Sequence, residues 1–163
     1  MGNSTLKSLN EIMNNSVFRI PDYQRGYSWG DREREDFWSD LNNLGKDRSH
    51  YTGVLTVENI EKKKALKNSS WVEDKWIFDG GYKAYYVIDG QQRLTTISIL
   101  IKSILDKYDD AEVLNYKSKE KHEEAFLYVP NGKSKTFIFG YEKDDPSDQF
   151  FKSKVMGYHT AVS

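Results

Sequence analysis

Apolar positions along the chain fall into short periodic blocks separated by polar turns. Leu6, Leu9, Ile12 and Met13 recur at helical spacing behind Ser4 or Thr5 as a candidate N-cap. Val17 to Ile20 reads as a short strand that Pro21 ends, since proline has no N–H for a sheet ladder. A loop rich in Tyr, Gln, Arg and Trp follows, from Asp22 to Gly30. Phe37, Trp38, Leu41 and Leu44 then share a helix face, with Ser28 as cap and Gly45 as stop. Tyr51 to Ile60 predicts a strand with Val54, Leu55 and Val57 in the core, and Glu61 to Asp74 a charged, mobile excursion. Trp76–Phe78 and Tyr85–Ile88 read as two strands around a turn at Asp79-Gly80-Gly81. The strongest helical stripe comes next: Leu94, Ile97, Ile101 and Ile104, widened by Leu100 and Leu105. Beyond Tyr108 the pattern weakens. Asp109 to Glu124 is polar and partly helical, Thr136–Phe139 is a strand, and Asp145-Pro146 opens a helix carrying Phe150, Phe151, Val155 and Met156.

Helices and strands in this mixed order fit an α+β fold better than a βαβ series. The 163 residues suffice for one domain, taken as 1–163, and the abrupt end at Ala161-Val162-Ser163 suggests a fragment of a longer protein. A net charge of -1 gives no whole-chain attraction to nucleic acid. The absence of cysteine excludes disulfides and thiolate metal sites, and an intracellular, cytoplasmic protein is expected. No stretch is long and apolar enough to cross a bilayer, so no membrane partner is expected. His50, His122 and His159 are scattered singly and read as surface or loop residues; no metal-ligand pattern is present.

Candidate chemistry concentrates where the strand ending at Ile88 runs through Asp89-Gly90 into the strong helix beginning Gln91-Gln92-Arg93-Leu94-Thr95-Thr96. A helix's first turn carries N–H groups without internal partners and a partial positive charge, so it welcomes an anion. Gly90 spares a side chain where a phosphate would approach, Arg93 offers a two-pronged donor, and Thr95 and Thr96 offer hydroxyls. A plainer reading stands beside this one. Asp89-x-x-Gln92 has the spacing of a capping box, which accounts for Asp89, Gly90 and Gln92 without any ligand. The second cluster is Tyr23-Gln24-Arg25 with Tyr27 and Trp29. Its rings and arginine suit a stacked base and a phosphate, but they equally suit aromatics packed over the core with Arg25 paired to a carboxylate, the simpler reading of the residues alone.

Taken together, Ile20-Pro21-Asp22-Tyr23-Gln24-Arg25-Gly26-Tyr27-Ser28-Trp29 and Val87-Ile88-Asp89-Gly90-Gln91-Gln92-Arg93-Leu94-Thr95-Thr96 resemble the two hallmark motifs of GmrSD-type restriction proteins. The resemblance extends over roughly the whole chain. It implies a ParB/sulfiredoxin-like N-terminal domain, a mixed sheet with flanking helices, that binds and hydrolyses a nucleoside triphosphate; Mg2+ is expected from triphosphate chemistry, not from a ligand pattern. That activity would regulate cleavage of modified phage DNA by a C-terminal HNH nuclease domain lying outside this chain. Asp89, Gln92 and Arg93 would be catalytic, Asp89 orienting a metal or water and Arg93 neutralising developing charge. Tyr23, Gln24, Arg25, Gly90, Gln91, Thr95 and Thr96 would bind the nucleotide. Gly26 departs from the proline common in the family. Two other functions compete: a DNA-contacting module without triphosphatase activity, using Lys62, Lys63, Lys64 and Lys67, and a self-sufficient ParB-like nuclease, against which the lack of a compact carboxylate or histidine cluster argues.

Overall fold

A computed structural model describes residues 5–67, 71, 74–132, 134–142 and 146–157. In chain order the elements are α1 (Leu9–Met13), β1 (Ser16–Ile20), α2 (Asp31–Asn42), β2 (Thr56–Asn59), α3 (Lys62–Ala65), α4 (Lys75–Asp79), β3 (Lys83–Asp89), α5 (Gln91–Leu105), β4 (Val113–Leu114), β5 (Lys117–Ser118), α6 (Lys119–Phe126), β6 (Tyr128–Asn131), β7 (Ser134–Phe137), β8 (Phe139–Tyr141) and α7 (Pro146–Phe150), which continues as a π-helical turn over Phe151–Val155. The fold is α+β, built on a mixed four-stranded sheet in the order β2-β3-β1-β8. β3 and β8 both run parallel to β1, and β2 runs antiparallel to β3.

β1 is buried along its length, as a central strand covered on both faces should be. Alternation along the strands sorts side chains between two cores. Phe18, Ile20, Tyr85, Val87, Phe139 and Tyr141 enter the larger one, under α5. There Phe139, Tyr141 and Phe151 form a triangle of edge-on rings with centroids 5.5 to 6.1 Å apart. Each such pair adds about 0.5–1.5 kcal/mol to its area burial. Ala84 and Tyr86 enter the smaller core with Ile60, Ala65 and Trp71.

Several local expectations give way to tertiary context. Trp76–Phe78 lies in helix α4 rather than a strand: a three-residue apolar run has no readable period, and the Gly80 N–H closes the turn on the Trp76 carbonyl. The strand expected over Tyr51 to Ile60 shrinks to β2, an exposed edge strand, and of the three residues expected in the core Val54 is 59% and Val57 37% exposed while Leu55 packs on the larger core. Glu61 to Asp74 is not wholly an excursion, because it forms α3 and buries Trp71. Ser8, not Thr5, caps α1, in a capping box with Glu11, and Ser4 lies outside the described residues. Gly30 rather than Ser28 precedes α2, which ends at Asn42 before reaching Gly45. Thr136–Phe139 is split at Ile138, whose N–H turns back to the Leu127 carbonyl while its own carbonyl accepts from Phe18. On α5 the buried face rotates away from Ile104, 39% exposed, toward Thr95 and Ser98. Small side chains there let the helix sit close to the sheet. Pro146 does open α7; Asp145 lies outside the described residues.

The parallel register brings the carboxyl ends of β1, β3 and β8 to one edge of the sheet. Both sequence motifs begin there, at Ile20 and at Val87. Open sheets place ligands at that edge.

Candidate functional site

Residue 90 has φ +97°, a conformation natural only to glycine. It turns the chain from β3 into α5, whose first hydrogen bond runs from the Leu94 N–H to the Gly90 carbonyl. Its N-cap residue, Gly90, has no side chain to cap this fifteen-residue helix, and among the described residues no other side chain does so. The capping box suggested by Asp89-x-x-Gln92 does not form. Among the described residues Asp89 Oδ1 accepts only from the Gly90 N–H, at 3.0 Å, and Gln92 bonds the first motif instead of the cap. The space a Gly90 Cβ would fill is not open to a ligand either, since the Val54 carbonyl lies 3.1 Å and Leu55 Cδ1 3.2 Å from it. Glycine here admits the chain's own loop 51–55.

Gln92 instead clasps the first motif. Its Oε1 accepts from the Ser28 N–H at 2.8 Å, and its Nε2 donates to the Gly26 carbonyl at 3.2 Å. Gln91 Nε2 meets Gln24 Oε1 at 3.5 Å, the outer limit of a hydrogen bond. The Tyr27 hydroxyl lies 2.9 Å from Thr96 Oγ1. Trp29 closes the loop by packing on Phe37 of α2, and Arg34 donates to its carbonyl at 2.7 Å. The structure therefore brings the two motifs together along the first turns of α5.

Arg93 reaches over loop 51–55 and donates to the Thr52 carbonyl at 2.7 Å. Its guanidinium occupies the place a Cβ on Gly53 would take, with Nη1 only 1.5 Å from that position, and Gly53 itself has φ +111°. Among the described residues neither Arg93 nor Arg25 makes an ion pair. Arg25 and Asp89 are exposed, as is Tyr23 at 74%. Thr95 and Thr96 are buried, and their hydroxyls donate to the carbonyls of Gln91 and Gln92, bracing the first turn from behind. Thr52 and Gly53 escaped the sequence reading; the only local signal was the glycine.

Sequence reasoning also missed a buried polar layer beneath the first motif. Glu142 accepts from the Asp22 N–H at 3.1 Å and from the Tyr86 hydroxyl at 3.0 Å, and Tyr86 accepts from Trp71 Nε1 at 3.1 Å. Burial, seconded by the nearby Glu142 charge, pushes the Tyr86 phenol up to about 12, so it stays a donor at neutral pH. Arg19, on the same face, lies over Trp71 and bonds Asp74 at 3.4 Å. From α7, Ser147 packs against Gly26: a Cβ there would stand 2.5 Å from Ser147 Oγ, which accounts for a small residue at that point of the loop.

Asp148, 2% exposed, bonds Lys152 through one carboxylate oxygen at 3.1 Å and leaves the other unpartnered. Burial raises its pKa above the ordinary 3.8, with Lys152 opposing. A raised folded pKa stabilises below the unfolded value and loses that contribution as pH rises through the folded one. Asp148→Asn, uncharged throughout, is expected to gain in melting temperature relative to the parent as pH rises from about 4 to about 7. Paired melting curves across that range check it; a difference that stays flat or falls contradicts the assignment.

The remaining expectations fall outside this site. Lys62 pairs with Asp79 at 2.6 Å, and Lys64 lines a small crevice of about 100 Å³ with Glu58, Asn59 and Tyr86. His122 bonds the Leu114 carbonyl, and His159 lies outside the described residues. Among the described residues no cluster of three or more metal-binding side chains exists, and no helix is long and apolar enough to cross a membrane.

Fold and site together define a mixed-sheet α+β domain whose two motif loops are clasped at the start of one helix. The chain belongs to the family of the GmrSD restriction endonuclease N-terminal domain, whose family model matches residues 6–158. A comparison with curated proteins gives no match.

Proposed function

We propose that this chain binds, and hydrolyses, a nucleoside triphosphate, and that it regulates a modification-dependent restriction protein active against phage DNA. The observation that carries the proposal is the pair of guanidinium groups, Arg25 and Arg93, that face no carboxylate among the described residues and flank an uncapped helix start. Arg93 is half-buried, where a charge is normally paired within the protein, so a guanidinium left without an acid fits an anionic ligand; Arg25 is exposed and adds only its positive charge.

In this reading the phosphates lie against the amides of Gln91 to Arg93, with Arg93 neutralising charge as the terminal phosphate departs. Tyr23, Gln24 and Arg25 border the nucleotide from the first motif. Gln92 holds that motif in place, Thr95 and Thr96 brace the helix turn, and Gly90 seats loop 51–55. The described residues build no cage for a free metal. A magnesium carried in on the triphosphate needs only one carboxylate or two, and exposed Asp89 would supply one, the ion adding positive charge over the phosphates. DNA and a C-terminal nuclease domain are the partners proposed for the longer protein, working in the cytoplasm.

Saturating triphosphate at about 100 times its dissociation constant contributes about 2.7 kcal/mol, which raises the melting temperature of a domain this size by roughly 5–10 °C. Arg93→Ala is expected to fold and to lose that shift. Equal shifts in parent and variant, for every triphosphate tried with and without magnesium, would falsify the assignment.

A further inference from the structure

We propose that Glu142 is a positioning residue of this site, one that fixes where the first motif leaves the sheet; its effect on ligand binding rests on the function proposed above. Glu142 directly follows β8, and its N–H donates to the Ile20 carbonyl at 2.9 Å. Its side chain then crosses to the other side of Pro21 and accepts the Asp22 N–H. Proline at 21 has no N–H of its own, so Asp22 carries the next amide donor beyond the sheet. One residue thus grips both ends of Ile20-Pro21-Asp22, by backbone on one side and carboxylate on the other.

The second carboxylate oxygen is held as firmly. Tyr86 donates to it, and Trp71 donates to Tyr86, so the carboxylate's direction is set by β3 and by the buried Trp71. β3 is the strand that ends in the second motif. Glu142 therefore ties the exit of the first motif to the strand that delivers the second. A carboxylate does this better than a neutral acceptor, because charge-assisted bonds to N–H and O–H are shorter and stronger. Buried at 8% exposure, it makes no ion pair among the described residues, so these donors carry its stabilisation.

Residue-resolved amide hydrogen exchange tests this first without any substitution. The Asp22 N–H, on an exposed residue, is expected to exchange as slowly as the amides of β1, while that of Tyr23 exchanges fast; equally fast exchange of both overturns the proposal. Glu142→Ala is expected to deprotect residues 22–28 and to weaken triphosphate binding about tenfold, and Glu142→Gln, whose amide oxygen still accepts the Asp22 N–H, to restore most of both. Tyr86→Phe keeps the Asp22 bond and is expected to leave that protection in place. Unchanged protection of 22–28 in a folded Glu142→Ala protein overturns the role. Deprotection in a chain whose parent binds no triphosphate upholds the role and rejects the nucleotide reading instead.

Discussion

Gly53→Ala is expected to expel the Arg93 guanidinium from its seat and to weaken triphosphate binding by about tenfold or more, a loss of about 1.4 kcal/mol. Two independent effects act at this residue. The added Cβ would stand 1.5 Å from Arg93 Nη1 and 2.7 Å from Cζ, a separation that no small adjustment restores. The backbone at φ +111° is also strained for any side chain, at a cost of about 1–3 kcal/mol. Loop 51–55 is largely exposed, so it can shift rather than unfold the domain. Binding should therefore fall further than stability. Parallel melting and titration experiments separate the two. A variant that melts several degrees lower yet binds as the parent does would show that Arg93 is dispensable to the ligand. Arg93→Lys makes a useful companion, since lysine retains the charge but not the planar fork that bonds the Thr52 carbonyl while presenting further N–H groups outward.

That seat was illegible in the sequence for a physical reason. Local patterning reports what a residue does with neighbours three or four positions away, and Arg93 acts on a carbonyl 41 positions earlier. Gln92 shows the same limit more sharply. Its spacing from Asp89 matches a capping box, but it spends its amide on Gly26 and Ser28, more than sixty residues back. What patterning did reveal were the elements whose burial is strong and regular: β1, the Tyr85–Ile88 strand, and α5 with its glycine entry. Strand Thr56–Asn59 was overextended because an exposed edge leaves little hydrophobic signature. The polar layer of Arg19, Asp74, Tyr86 and Glu142 was invisible for the opposite reason, since charged residues in a sequence carry no mark of burial. Recognition of two long motifs supplied the family, but their meeting at α5 follows from the parallel pairing of β1 with β3.

Removal of Arg19 is expected to be the most destabilising polar change in the chain. Its guanidinium donates to the carbonyls of Phe18 and Phe137 at 2.9 and 2.8 Å and bonds Asp74, whose other oxygen accepts from Thr136 at 3.0 Å. One side chain thus joins β1, the end of β7 and the start of α4. Gly140 leaves room for it, with Arg19 Nη1 3.8 Å from where a Cβ would lie. Arg19→Met keeps most of the apolar stem but removes a donor from two carbonyls and the cation from a carboxylate that is only 20% exposed. Removing one partner of a buried pair costs about 3–5 kcal/mol, and the residual exposure of Asp74 points to about 3, or a fall of roughly 6–12 °C in melting temperature. Much of that cost is the uncompensated charge rather than the lost attraction. Adding Asp74→Asn to Arg19→Met should therefore recover part of the stability, since asparagine still accepts from Thr136 without carrying a charge. A loss below 1 kcal/mol in the single variant, or a double variant less stable than Arg19→Met alone, would mean that the pair is solvated and that packing on Trp71 holds this face of the sheet.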